Sequence, residues 1–267
     1  MTSKPAGLAK SLGSLVQILR GKPRLPASLQ DNPLLQLILN RRSVRRFFDQ
    51  DIPEDHFAAI LEAGRLAPST VNLQTWSFAI FKRDQWQALF GRSIPLHGQR
   101  AVIVIGDTYR TRQVLDVFPY SPLVEYTIAV INASLAAMAM NLAAEALGVS
   151  SVMLSETGQT GLLDANYLKD KLGLPENTFP LMTIVLGYAR GPRPVMPPKL
   201  PAEQIFFEGK YCQPSPKVME AWLSQMQVGY KASHLRSSFE SQLEIYRRKI
   251  GQAETDLHDI VFYQRGT

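Results

Sequence analysis

Short runs of β-branched and apolar residues, each bounded by turn residues, recur at Ser77 to Lys82, Ala101 to Gly106, Ser150 to Leu154 and Leu181 to Tyr188. Each run predicts a strand. Helical signals fill the intervals. Asp31-Asn32 opens a short apolar helix over Pro33 to Arg41, and Ile52-Pro53-Glu54-Asp55 starts a second that ends near Leu66. The stretch Leu123 to Leu147 is long, alanine-rich and apolar on most faces. Val218 to Met226 and Phe239 to Ile250 read as helices, and Ile260-Val261-Phe262-Tyr263 as one more strand. Four strands with intervening helices predict an α+β or α/β layer.

The long apolar helix raises the question of a membrane span. Between Glu125 and Glu145 the uncharged core is 19 residues and contains Thr127, Asn132, Ser134 and Asn141. That is short and polar for a span, so burial between subunits is the expectation. Ala133, Ala136, Ala137, Ala139 and Ala143 would let another helix approach closely.

At 267 residues, 45% hydrophobic and 19% charged, the chain can bury one sizeable core. The single cysteine, Cys212, excludes an intrachain disulfide and a Cys-rich metal knuckle, which fits a reducing compartment, with the cytoplasm as the default. No continuous apolar stretch of a secretory signal follows Met1. Charge is uneven: Lys4, Lys10, Arg20, Lys22 and Arg24 carry five of the six net positive charges, so the body is nearly neutral. Leu8, Leu12, Leu15 and Leu19 recur at helical spacing in that basic leader, which suits a membrane surface or, in preference, a protein neighbour, since aromatic anchors are lacking. No nucleic-acid-binding signature accompanies the charge.

Two stretches carry candidate chemistry. In Arg41-Arg42-Ser43-Val44-Arg45-Arg46-Phe47, four arginines and a serine fall just where an apolar run ends. Planar guanidinium forks and a hydroxyl match phosphate oxygens, although an isolated cluster of this kind is more often a solvated helix end. In Ala67-Pro68-Ser69-Thr70-Val71-Asn72-Leu73-Gln74-Thr75-Trp76, Ser69, Asn72 and Gln74 offer groups able to read the edge of a polar ring, with Pro68 and Trp76 as stiff neighbours. Alone, that stretch is ordinary turn chemistry. Together the two suit a phosphorylated heterocycle.

The pair resembles the FMN-dependent nitroreductase family, whose forms run RRS-x-R-x-F and, after one helix, APS-x-x-N-x-QPW; Thr75 stands here for the usual proline. The resemblance implies a three-layer α/β/α sandwich of α+β class, with a mostly antiparallel central sheet and a long central helix at a homodimer interface. It implies that Arg41, Arg42, Ser43 and Arg45 hold the FMN phosphate and ribityl chain. Pro68, Ser69, Thr70, Asn72 and Gln74 would reach the flavin of the partner subunit. After Leu147-Gly148, the resemblance puts Leu154, Ser155 and Glu156 behind the flavin ring near N5, although Ser-Glu-Thr-Gly replaces the family's glycine-rich loop. Lys199, in Pro198-Lys199-Leu200-Pro201, would contact the phosphate, and Gln204 to Glu208 resembles a short strand that pairs on the partner's sheet. No protein side chain is assigned a catalytic role, because the cofactor carries the chemistry.

The implied organisation is a basic extension over residues 1–30, an FMN-binding domain over 31–210 and a helical, dimer-wrapping extension over 211–267. The implied activity takes hydride from NADH or NADPH and reduces nitroaromatic, quinone or similar conjugated acceptors by a ping-pong mechanism. Alternatives are a relative that consumes flavin, one that oxidises peptide heterocycles, and an FMN-binding scaffold without catalysis. Other chemistries lack support. No dinucleotide, Walker or nucleophile-elbow motif occurs, and His56, His97, His234 and His258 show no metal-ligand spacing.

Overall fold

The computed structural model describes residues 25–155, 165–233 and 238–262. Contacts divide the chain into two units, one of residues 32–194 with 248–267 and one of residues 1–31 with 195–247. The larger unit holds the sheet. Its strands β1 (Trp76–Lys82), β2 (Arg100–Asp107), β3 (Ser150–Leu154) and β4 (Thr178–Gly187) lie in the order β1-β2-β4-β3, with every neighbouring pair antiparallel. All four strands fall where β-branched runs predict them.

Helices cover both faces. The helices wholly within this unit are α1 (Pro33–Asn40), α2 (Glu54–Arg65), α3 (Arg83–Phe90), α4 (Tyr109–Arg112), α5 (Pro122–Ala146) and α6 (Ala165–Leu172), of which α2, α3, α5 and α6 pack on the sheet. Alternation along β2 shows why the sheet needs two covers: Val102 and Val104 pack with Phe57 and Ile60 of α2 and with the alanines of α5. Ala101, Ile103 and Ile105 face the other way, towards Trp86 and Phe90 of α3 and Leu168 of α6. Every residue of β2 is buried, as a central strand between two helical layers must be. The result is a three-layer α/β/α sandwich of α+β class. α5 lies close on the sheet because its inward residues are small; at Gly106 a side-chain methyl would come within 3.0 Å of the Ala129 methyl.

α5 has the length and apolar composition of a membrane span, but Ala129, Ala133, Ala136 and Ala137 pack into this chain's own core. The small residues therefore serve the sheet and α2. The opposite face carries larger apolar groups, Leu123, Val124, Ile131, Leu135 and Met138, all exposed, the last four following one another at steps of 7, 4 and 3.

A buried arginine fastens α2 to the sheet. Arg100, 2% exposed, donates to Asp51 at 2.8 and 2.9 Å and to Glu54 at 2.9 Å, and its guanidinium lies 5.1 Å from the Phe57 ring centre. Hydrogen bonds from Lys82 and then Arg100 hold Glu54 at about 2, and the Arg100 hydrogen bond keeps Asp51 low against the upward push of burial. Both folded-state values lie below the unfolded ones, so the stabilisation is present above pH 4.5 and is lost as pH falls towards 2. Urea midpoints measured from pH 5 to pH 2 should drop across that window, and an Arg100→Leu variant, less stable throughout, should show a flatter profile.

The smaller unit contains short 3-10 turns at Ala27–Leu29 and Ala202–Gln204, the helix α7 (Pro216–Ser233) and the start of α8 (Phe239–Phe262). Gln204 accepts from the Ser215 amide at 2.8 Å, and Gln227 donates to Glu240 at 2.9 Å. α8 continues unbroken to Phe262, so Ile260-Val261-Phe262 is helix and not the strand its β-branched run predicts. Ala253, Ile260 and Val261 fall on one helical face and are buried, and a short apolar run does not itself distinguish strand from helix. Tyr263 lies outside the described residues, as do residues 1–24 of the basic leader.

Candidate cofactor site

α1 begins at Asn32, whose side chain accepts from the Leu35 amide at 3.0 Å, and stops at Arg41, which turns extended. The chain then runs along the sheet. Val44 N–H donates to Ser151 C=O at 2.9 Å, Ser43 bridges Ser151 in parallel, and Phe47 bridges Ala189 in antiparallel register. Val44 and Phe47 point into the core beside α3, which leaves Arg45 and Arg46 exposed. Gly187 makes this crossing possible, since a methyl there would lie 2.8 Å from the Phe47 ring.

The arginines divide by task. One Arg42 terminal nitrogen donates to the carbonyls of Leu39 at 2.6 Å and Arg41 at 2.7 Å, so it closes the end of α1. Burial, then the neighbouring charges of Arg41 and Arg193, lower its pKa. Arg193 donates to Asn40 C=O at 3.1 Å and lies 3.2 Å from Glu145. Burial pushes the Glu145 carboxyl up against the pull of Arg193 and Arg41. The guanidinium groups of Arg41 and Arg45 and the Ser43 hydroxyl make no hydrogen bond among the described residues, so these donors stand available for an anion.

From Ser151, β3 leads to Leu154 and Ser155, about 10 Å further along at roughly 3.3 Å per residue. Leu154 is half-buried and Ser155 exposed, and Glu156 lies outside the described residues. Lys199 is exposed and belongs to the smaller unit.

Ser69 to Gln74 forms a tight loop ahead of β1. Val71, Asn72 and Gln74 have φ of 48°, 59° and 49°, the left-handed region that β-branched valine avoids. Buried hydrogen bonds from α5 hold it there. Asn132, fully buried, accepts from the Thr70 amide and hydroxyl, both at 3.1 Å, and donates to the Thr75 hydroxyl at 2.8 Å. Ser69 accepts from the Gln74 amide at 3.0 Å, and Thr111 donates to Leu73 C=O at 3.3 Å. Thr75 is therefore a buried anchor and not merely a softer substitute for proline. Asn72 and Gln74 are exposed and open, with Trp76, Phe78 and Ile80, on a groove of about 860 Å³ along the β1 edge. Replacing Asn132 by leucine leaves the Thr70 and Thr75 groups unpaired; a loss of about 2 kcal/mol in urea unfolding is expected, with weaker flavin binding.

The sheet keeps the two stretches apart. The arginine turn borders β3 at one edge near its Ser150 end, whereas the Ser69–Gln74 loop precedes Trp76 on the opposite edge and at the opposite end. Three strand spacings, about 14 Å, separate those edges before any shift along the strands is counted. Within one chain these two sets of donors do not meet.

Comparison with known proteins gives the class. The model of the nitroreductase family matches residues 38–188, more than half of the chain, and the span contains both motif stretches and all four strands. The chain belongs to the nitroreductase family, a class of oxidoreductases. A candidate NADH dehydrogenase/NAD(P)H nitroreductase of Archaeoglobus fulgidus is 31% identical over 162 residues, covering 58% of this chain and 85% of that protein. The NADPH-flavin oxidoreductase of Vibrio harveyi is 25% identical over 204 residues, covering 74% and 83%. Among solved structures, nitroreductase A of Vibrio parahaemolyticus superposes with a TM-score of 0.66 at 26% identity, over 80% of this chain and 90% of that one.

Proposed function

We propose that the protein is an FMN-dependent oxidoreductase that accepts hydride from NADH or NADPH and reduces nitroaromatics, quinones or similar conjugated acceptors by a ping-pong mechanism. The observation that carries the reading is the set of available donors on Arg41, Ser43 and Arg45, held at the β3 edge by the Val44–Ser151 backbone bond. Their chemistry fits a phosphate ester, and β3 leads from Ser151, beside Ser43, to Leu154 and Ser155. When bound, FMN supplies a ring that accepts and returns hydride. This chain's residues would then bind and orient: Arg41, Ser43 and Arg45 would neutralise the phosphate, and Arg42 closes α1 so that they stay in place. Leu154 and Ser155 would form the wall behind the ring, and Glu156, assigned there by the resemblance, lies outside the described residues.

The separation of the two stretches supports a homodimer with FMN at its interface. Pro68, Ser69, Thr70, Asn72 and Gln74 cannot complete their own chain's cradle, but they can serve a partner's. The uncovered face of α5, with Leu123, Val124, Ile131, Leu135 and Met138, provides an apolar surface for that association. The cytoplasm is the proposed compartment. Initial rates at varied NADPH and varied menadione or nitrofurazone should give parallel double-reciprocal lines, and light scattering should give twice the chain mass. Intersecting lines would contradict alternation at one site, and a monomer that still holds FMN would contradict the shared site.

A further inference from the structure

The antiparallel bridge of Phe47 to Ala189 places Arg46 directly opposite Arg190, and the Arg190 amide donates to Arg46 C=O at 2.9 Å. Like charges facing each other across a strand pair are destabilising. Nothing in the cofactor cradle requires this pair, since Arg41, Ser43 and Arg45 supply its donors. A third element adds to the charge. Arg83, the first residue of α3, also opens on the same concavity, where a cation opposes the helix dipole. The concavity has a volume of about 750 Å³, and Arg45, Arg46, Arg83, Arg190 and His97 line it together with one carboxylate, Asp49. Asp49 is paired with Arg83. With Arg45 committed to the cofactor cradle, three guanidinium groups against one carboxylate leave the concavity at a net charge of +2, His97 not counted. Its wall is backbone-strained as well, with Leu96 and His97 at φ of 58° and 55°.

We propose that this concavity is a second anion-binding site, built for a multiply charged phosphate group and contacted chiefly by Arg46, Arg83 and Arg190. Three segments distant in sequence bring cations together here at a cost to folding, and a phosphate dianion offsets that cost with charge-assisted hydrogen bonds. Two sources share this chemistry: the 2′-phosphate of a nicotinamide nucleotide, and free phosphate or pyrophosphate. The site does not rest on the flavin reading.

The test is calorimetric titration of the full-length protein, reconstituted with FMN, using 2′,5′-ADP, 5′-ADP and inorganic pyrophosphate, for wild type, Arg46→Gln, Arg190→Gln and Arg41→Ala. The expected result is binding that weakens with salt, falls at least tenfold in Arg46→Gln and in Arg190→Gln, and is unchanged in Arg41→Ala. A preference for 2′,5′-ADP over 5′-ADP assigns the 2′-phosphate as source, and equal binding of pyrophosphate assigns the free anion. Without added anion, Arg46→Gln should melt no lower than wild type, because it removes a repulsion. The proposal is overturned if no probe binds, or if binding follows Arg41 and ignores Arg46 and Arg190. Flavin content, read separately from the visible spectrum of each sample, reports on the cofactor cradle whatever the titrations give.

Discussion

Arg41→Ala combined with Ser43→Ala is expected to weaken FMN binding by a hundredfold or more, while the fold survives. Each substitution removes a donor to a phosphate, and hydrogen bonds to charged groups contribute about 1.5 to 3 kcal/mol apiece. The helix end tolerates the change, because Arg41 closes α1 through its backbone amide, 2.9 Å from Leu37 C=O, and alanine keeps that bond. Apoprotein stability should therefore move by only about 0.5 kcal/mol, as at surface sites generally. Fluorescence titration of FMN against both proteins measures the first quantity, and urea unfolding the second. A variant that still binds FMN like wild type would remove the cradle from this part of the fold. The companion Arg42→Ala should behave in the opposite way, since its Nη1 bonds serve α1: a stability loss of about 1 kcal/mol with a smaller effect on affinity.

The second large effect concerns Glu125, near the start of α5. Its carboxylate is almost fully buried and accepts from Arg112 at 2.8 and 2.5 Å, from Asn177 at 3.2 Å and from the Thr108 hydroxyl. Glu125→Ala strands all three donors at once. Breaking a buried pair from one side typically costs 3 to 5 kcal/mol, and with Arg112 about one-third exposed the expected loss is about 3 kcal/mol. Urea unfolding with an unchanged slope would show it. Damage should spread to the cofactor loop, because Thr111, next to Arg112, holds Leu73 C=O. A Glu125→Gln variant keeps the hydroxyl and amide partners and should lose less.

Short-range signals in the sequence correspond well to what the fold contains. β-branched runs between turns mark all four strands, and the caps at Asn32 and Pro53 mark α1 and α2. The arginine motif and the Pro-Ser-Asn motif are legible because each is continuous in the chain. What the sequence hides is pairing at long range. Asn132 reads only as a polar interruption of an apolar helix, yet it anchors a loop 62 residues earlier. Glu125 reads as the mark of a helix end, and Arg100 carries no signal, falling just outside the predicted strand Ala101 to Gly106, although both are hubs of buried ion pairs. A polar residue on an otherwise apolar helical face was the available signal, but its partner could not be named without the fold. The helical end of α8 shows the reverse failure, where a local β-branched run loses to the packing of Ile260 and Val261 into the core.

The absorbance spectrum of the purified protein, before and after NADPH is added without oxygen, decides whether this chain holds a flavin that accepts hydride. The flavin bands should bleach on addition and return when menadione or a nitrofuran follows. A protein that takes up no flavin even after incubation with FMN, or one whose bound flavin stays oxidised with both NADH and NADPH, would contradict the proposed function.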